Sequence, residues 1–146
     1  TEQGKEVASL ARLFLPEDDL KISPKANALA LFNPVFDNGP DQGWGHGRVK
    51  DEYKAYSPAH NITADDPPAI IFLGTNDKLI PVAVVERFKA NMDKAGVRCE
   101  AHFYDKQGHG FFNTKNPEFY YKTLLATDKF LTSLGWLKGE ATLKQP

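Results

Sequence analysis

The chain has 146 residues, 41% of them hydrophobic and 25% charged, the balance of one globular domain rather than of a disordered segment. Eighteen Lys and Arg against 19 Asp and Glu leave a formal charge of −1, which supplies no electrostatic footprint for nucleic acid or an anionic membrane. The longest apolar runs, such as Ala69 to Leu73, fall far short of a membrane span.

No secretory signal is visible, and the chain opens on Thr1 rather than Met, so a processed product or a piece of a longer protein is expected. The single cysteine, Cys99, excludes an internal disulfide and every multi-cysteine zinc pattern. It falls inside a predicted strand with no helix start to activate it, and reads as a buried or half-buried thiol. One free thiol leaves the compartment open.

In chain order, Glu6 to Leu15 reads as a helix, with Val7, Leu10, Ala11 and Phe14 at helical spacing and Pro16 after its end. An acidic, turn-rich stretch from Glu17 to Lys25 precedes a short apolar strand, Ala28 to Phe32, closed by Asn33-Pro34. Asp37 to Gly47 is a glycine-rich surface loop holding Trp44 and His46; its glycines fit neither phosphate-binding fingerprint. Val49 to Tyr56 is expected to be a short helix ended by Ser57-Pro58.

The run Ala69 to Leu73 follows Pro67-Pro68. Its apolar residues do not alternate, which predicts a parallel strand covered on both faces. Pro81 is expected in the first turn of a helix to Ala95, with Val84, Val85, Phe88 and Met92 facing the core and Gly96 as its stop. Val97 to Tyr104 alternates as a strand. The last helix runs from Pro117 to Leu134, with Phe119, Tyr120, Leu124, Thr127 and Leu131 expected on one side; Gly135 stops it and residues 137–146 form a polar tail. The strand–helix–strand unit from Ala69 to Tyr104 requires a parallel pair. The fold class is therefore α/β, three-layered, with about three parallel strands and flanking helices, and residues 1–146 form one partial domain.

Ligands of parallel α/β sheets gather beyond the C-terminal ends of the strands. Asp77 follows the strand ending at Leu73 and His109 follows the strand ending at Tyr104, so one crossover unit places both on the same rim. A carboxylate beside an imidazole fixes its tautomer and leaves the other ring nitrogen free as a general base. Gly108 and Gly110 suit a turn from which the ring projects. His46, His60 and His102 lack such support and read as ordinary surface or sheet residues. No pair of histidines has metal-ligand spacing, so no metal is expected.

Three segments carry a resemblance: Ser57-Pro-Ala-His-Asn-Ile62, Pro67-Pro-Ala-Ile-Ile-Phe-Leu-Gly-Thr-Asn-Asp-Lys-Leu-Ile-Pro81, and Tyr104-Asp-Lys-Gln-Gly-His-Gly-Phe-Phe-Asn113. Together they resemble the C-terminal portion of an α/β-hydrolase, and within that superfamily are most similar to the acetyl esterase/lipase-like carboxylesterases; the strand Ala28 to Phe32 with Asn33-Pro34 also fits, and the resemblance covers about Lys21 to Leu137. The resemblance implies a partial α/β-hydrolase fold in which Asp77 is the triad acid and His109 the triad base. It also implies a small ester as substrate of the complete enzyme and no cofactor. Phe111 and Phe112, beside the histidine, are candidates for the acyl pocket, and Trp44 either reaches the site or pins its loop.

The chain departs from the family in one large respect. Neither a Gly-x-Ser-x-Gly nucleophile elbow nor a His-Gly-Gly-like oxyanion segment occurs, and none of Ser9, Ser23, Ser57 and Ser133 has flanking glycines. The expectation is a serine ester hydrolase portion carrying acid and base but no nucleophile, inactive alone. The alternative is a non-catalytic binding or interaction module derived from such a hydrolase; a nucleotide-binding α/β domain lacks its phosphate loop. The strand Ala28 to Phe32, uncharged and without proline, is expected to need cover, either from the helix Glu6 to Leu15 or from a second copy of the chain paired edge to edge.

Overall fold

In a computed structural model of the protein, residues 21–143 apart from Pro24 are described. The predicted helix Glu6 to Leu15 lies outside them. Strand β1 spans Leu29–Phe32. A helical stretch follows, made of α1 (His46–Val49), a 3-10 turn (Lys50–Glu52), α2 (Tyr53–Tyr56) and a second 3-10 turn (Pro58–His60). Then come β2 (Ala69–Gly74), α3 (Val82–Lys94), β3 (Cys99–Tyr104) and α4 (Pro117–Ser133). The three strands form one sheet in the order β1-β2-β3, and both pairings are parallel.

β2 is the centre of the molecule, and all six of its residues are buried. Its side chains divide by alternation between two cores. Ala69, Ile71 and Leu73 pack with Val84, Val85, Phe88 and Met92 of α3 and with Phe36. Ile70 and Phe72 pack on the other face with Phe111 and with Phe130 of α4. Helix, sheet and helix thus make three layers, as the unbroken apolar run of β2 requires. The Phe36 and Phe88 rings stack with centroids 3.6 Å apart, which anchors the segment after β1 to α3.

Three local features differ from expectation. The first helical stretch begins at His46, before Val49, because Gly45 adopts φ 77° and turns the chain directly into α1. Pro81 sits one residue before α3 as its N-cap rather than inside the first turn, with its carbonyl accepting from Val84 N–H. The inward face of α4 is rotated: its buried residues are Thr123 and Phe130, joined by Phe119, Ala126, Leu131 and Leu134, while Tyr120 is exposed. Thr123 tolerates burial because its hydroxyl donates to the Tyr120 carbonyl at 3.0 Å, so no polar atom is left unpaired.

Among the described residues, β1 has β2 as its one strand neighbour. No helix among the described residues is long and apolar enough to cross a membrane.

Candidate active site

The C-terminal ends of β2 and β3 are sewn together by backbone groups. Thr75 N–H donates to the Tyr104 carbonyl at 3.0 Å and Asn76 N–H to the Gln107 carbonyl at 2.9 Å. Lys106 N–H donates to Thr75 Oγ1 at 2.9 Å. The approach is so close that a Cβ on Gly74 would lie 2.1 Å from the Gln107 carbonyl oxygen. Glycine at the end of β2 is therefore a steric requirement. Asp77 and His109 sit at the ends of these two joined loops.

Their side chains meet: His109 Nδ1 lies 2.9 Å from Asp77 Oδ2. The Asp77 side chain is 0% exposed, whereas His109 is 46% exposed, so the ring leans from a buried carboxylate toward the surface. Gly110, with φ 74°, turns the chain immediately after the ring. Asp77 Oδ1 accepts from the N–H groups of Leu79 at 2.8 Å and Ile80 at 3.1 Å. Burial pushes the Asp77 carboxyl up, but the hydrogen bonds from Leu79, Ile80, His109 and Asn33 outweigh it and hold the group below its usual range. An ionised carboxylate can only accept hydrogen bonds, so Nδ1 carries the proton and donates to it. Nε2 of the neutral ring is then an acceptor.

In the sequence Asn33 reads as the end of a strand and as part of the family resemblance, without a place in the site. It is 6% exposed and lies directly after β1 with φ 47°. Its Nδ2 donates to Asp77 Oδ2 at 2.7 Å, and its Oδ1 accepts from Gly110 N–H at 3.4 Å. The signal available in the sequence was a left-handed-tolerant polar residue at the C-terminal rim of a parallel strand, the same reasoning that singled out Asp77 and His109.

The other candidates separate. Phe111 is buried in the α4-side core, where its ring meets Tyr104 and Phe119. Phe112 is half-buried, 4.6 Å from the Phe32 ring between centroids. Trp44 is built into its own loop: its N–H donates to the Asp37 carbonyl, its carbonyl accepts from Asn38 Nδ2, and the Arg48 guanidinium lies 5.1 Å over its ring. His46 faces the Asn38 carbonyl, His60 stands 3.9 Å from Asp37, and His102 stands 3.5 Å from Glu100.

Every described serine is engaged elsewhere. Ser57 is fully buried and donates to the Tyr53 carbonyl at 2.6 Å while accepting from Asn38 N–H. Ser133 donates to the Phe130 carbonyl, and Ser23 accepts from Lys25 N–H. Cys99 is buried on the α3 side, and burial pushes its thiol up to about 11.

Residues 43–141 match the dienelactone hydrolase family. Among solved structures, the chain is similar to a thermophilic esterase from the planctomycete Thermogutta terrifontis with propionate bound: 40% identity, TM-score 0.73, covering 88% of this chain and 50% of that one. The same esterase phosphonylated by sarin aligns at 41% identity with a TM-score of 0.75, over 88% and 51%. Its butyrate-bound form aligns at 38% identity with a TM-score of 0.73, over the same shares. The chain spans about half the length of the solved structures it matches. No curated protein matches it.

Proposed function

From the premise that the chain belongs to the dienelactone hydrolase family, a branch of the α/β-hydrolases, we propose that it carries the acid and base of a serine carboxylic ester hydrolase. The observation that carries the reading is the His109 Nδ1 to Asp77 Oδ2 hydrogen bond of 2.9 Å, from a buried carboxylate to a ring that reaches the surface. In this reading His109 Nε2 takes the proton from a serine hydroxyl as that oxygen attacks the ester carbonyl. Asp77 stabilises the imidazolium that results, and the ring then delivers the proton to the leaving alcohol. Water repeats the cycle and releases the acid.

The nucleophile and the oxyanion donors belong to a segment this sequence does not contain, since it has no Gly-x-Ser-x-Gly elbow. The chain is accordingly proposed to be inactive alone and to function as one portion of a larger α/β-hydrolase domain, with residues 137–146 as a polar tail. The propionate- and butyrate-bound relatives support a short acyl group as the substrate class. Phe112 is the side chain proposed to border the acyl group, because it stays half-exposed three residues beyond His109. The outer edge of β1 is the proposed seat of the missing strand or, in the isolated chain, of a second copy.

The test uses p-nitrophenyl acetate with the chain alone and with the chain fused behind the part of a Thermogutta terrifontis esterase that it does not cover, chosen so that the fusion contains a Gly-x-Ser-x-Gly elbow. The chain alone should give no turnover above its His109→Ala form. The fusion should hydrolyse the ester and lose that activity on His109→Ala or Asp77→Asn. Turnover by the chain alone that vanishes with His109, or a folded and active fusion indifferent to both substitutions, would overturn the proposal.

A further inference from the structure

We infer that Asn33 is a positioning residue of the site: its side-chain amide holds Asp77 Oδ2 toward His109 and ties the histidine loop to the same point. The inference rests on the acid–base reading of Asp77 and His109 above. Asn33 lies outside the residues that match the family, and three independent contacts place it.

First, Asp77 Oδ2 has two donors, Asn33 Nδ2 at 2.7 Å and His109 Nδ1 at 2.9 Å. Oδ1 is already occupied by the Leu79 and Ile80 N–H groups. Without Asn33, Oδ2 would keep the half-exposed ring as its one direct partner, the very group it has to orient. Second, Asn33 Oδ1 accepts from Gly110 N–H at 3.4 Å, one residue past the histidine. The two contacts together fix which way the amide faces, since the flipped amide would set two oxygens against each other at Asp77 and two N–H donors against each other at Gly110. Third, Asn33 N–H donates to the Phe72 carbonyl at 2.9 Å, which locks the residue to β2. Asparagine tolerates the φ of 47° there at small cost.

One residue from the end of each parallel strand therefore enters a single network: Asn33 after β1, Asp77 after β2 and His109 after β3. A neutral donor is the residue type this position needs. An aspartate would place a second anion beside a fully buried one, and an aliphatic side chain would leave Oδ2 one partner short. When the ring becomes an imidazolium, Asn33 keeps the carboxylate in line with Nδ1, so the charge pair forms without reorganisation.

Isotope-labelled protein and NMR test this in the chain as it stands. In the unaltered chain, neutral His109 should be mostly the Nδ1–H tautomer by its ring ¹⁵N shifts; a dominant Nε2–H tautomer would sink the acid–base reading itself, whatever Asn33 does. One Asn33 side-chain amide proton should be downfield and slow to exchange; two ordinary, fast-exchanging protons would overturn the inference.

Asn33→Gly keeps the backbone free to hold its φ and deletes the amide. Asn33→Ala deletes the amide and keeps a side-chain carbon. Each should lower the Nδ1–H to Nε2–H ratio by on the order of tenfold, raise the Asp77 titration midpoint and speed exchange at Gly110 N–H. A folded variant of either kind that keeps the parental tautomer ratio and Asp77 titration would show Asn33 to be a strand terminator only. Should neither variant fold, the amide-proton measurement on the unaltered chain decides alone.

Discussion

Gly74→Ala should both destabilise the chain and separate Asp77 from His109. Gly74 does not have a positive φ, so alanine brings no backbone strain, and stiffening the unfolded chain would by itself add about 0.4–1 kcal/mol of stability. Sterics decide the other way. The new Cβ would lie 2.1 Å from the Gln107 carbonyl oxygen and 2.5 Å from its carbon, both backbone atoms. Relieving that overlap requires the 104–107 segment to retreat by about 1 Å, an overpacking cost of about 1–3 kcal/mol. The bonds from Asn76 N–H to Gln107 and from Thr75 N–H to Tyr104 cross the same gap, and losing them costs about 1 kcal/mol each. The net loss is about 2–5 kcal/mol, a sizeable part of the stability of any domain this size. For a chain of this length that is a fall in melting temperature of about 6–20 °C. His109 sits two residues beyond Gln107, so its Nδ1–H resonance should lose the protection that Asp77 provides. Circular-dichroism melts and a proton spectrum measure both effects. A variant melting within about 2 °C of the parent, with the resonance intact, would refute the steric reasoning.

The Asp77 carboxyl is held below its usual value near 3.8 in the folded chain. Its contribution to stability is therefore fully present above that pH and is lost as pH falls through the lower folded value. Urea unfolding of the parent and of Asp77→Asn should show the parent's lead at pH 7 shrinking as the solution is acidified below pH 4; a gap that does not change with pH would contradict the assignment. Cys99, buried and raised to about 11, should resist a thiol reagent in the native chain at pH 8 and react at once in urea, and rapid stoichiometric labelling of the folded protein would contradict its placement. Exposed Ala30 lies in the middle of β1, and Ala30→Lys should lower the self-association measured by light scattering over a concentration series. A parent chain that is monomeric throughout that series would remove the case for edge-to-edge pairing.

The sequence alone determined the features that depend on local pattern. An apolar run without alternation, Ala69 to Leu73, marked the central strand because a strand covered on both faces leaves no position for a polar side chain. Pro81 and Gly96 bracketed α3 because their backbone restrictions act within one turn of chain. The meeting of Asp77 with His109 was legible too, since a single crossover between neighbouring parallel strands puts both loops on one rim. Tertiary structure decided what depends on residues far apart along the chain. Asn33 reaches partners 44 and 77 positions away, and no window centred on Asn33-Pro34 contains either. Gly74 reads as a strand end until the Gln107 carbonyl is set against it. The inward face of α4 turned to Thr123 and Phe130 because the sheet beneath it, with Phe72 and Phe111, sets which side of the helix is covered. A hydroxyl bonded to its own helix can join that side as readily as a methyl group, and hydrophobic periodicity does not record that choice.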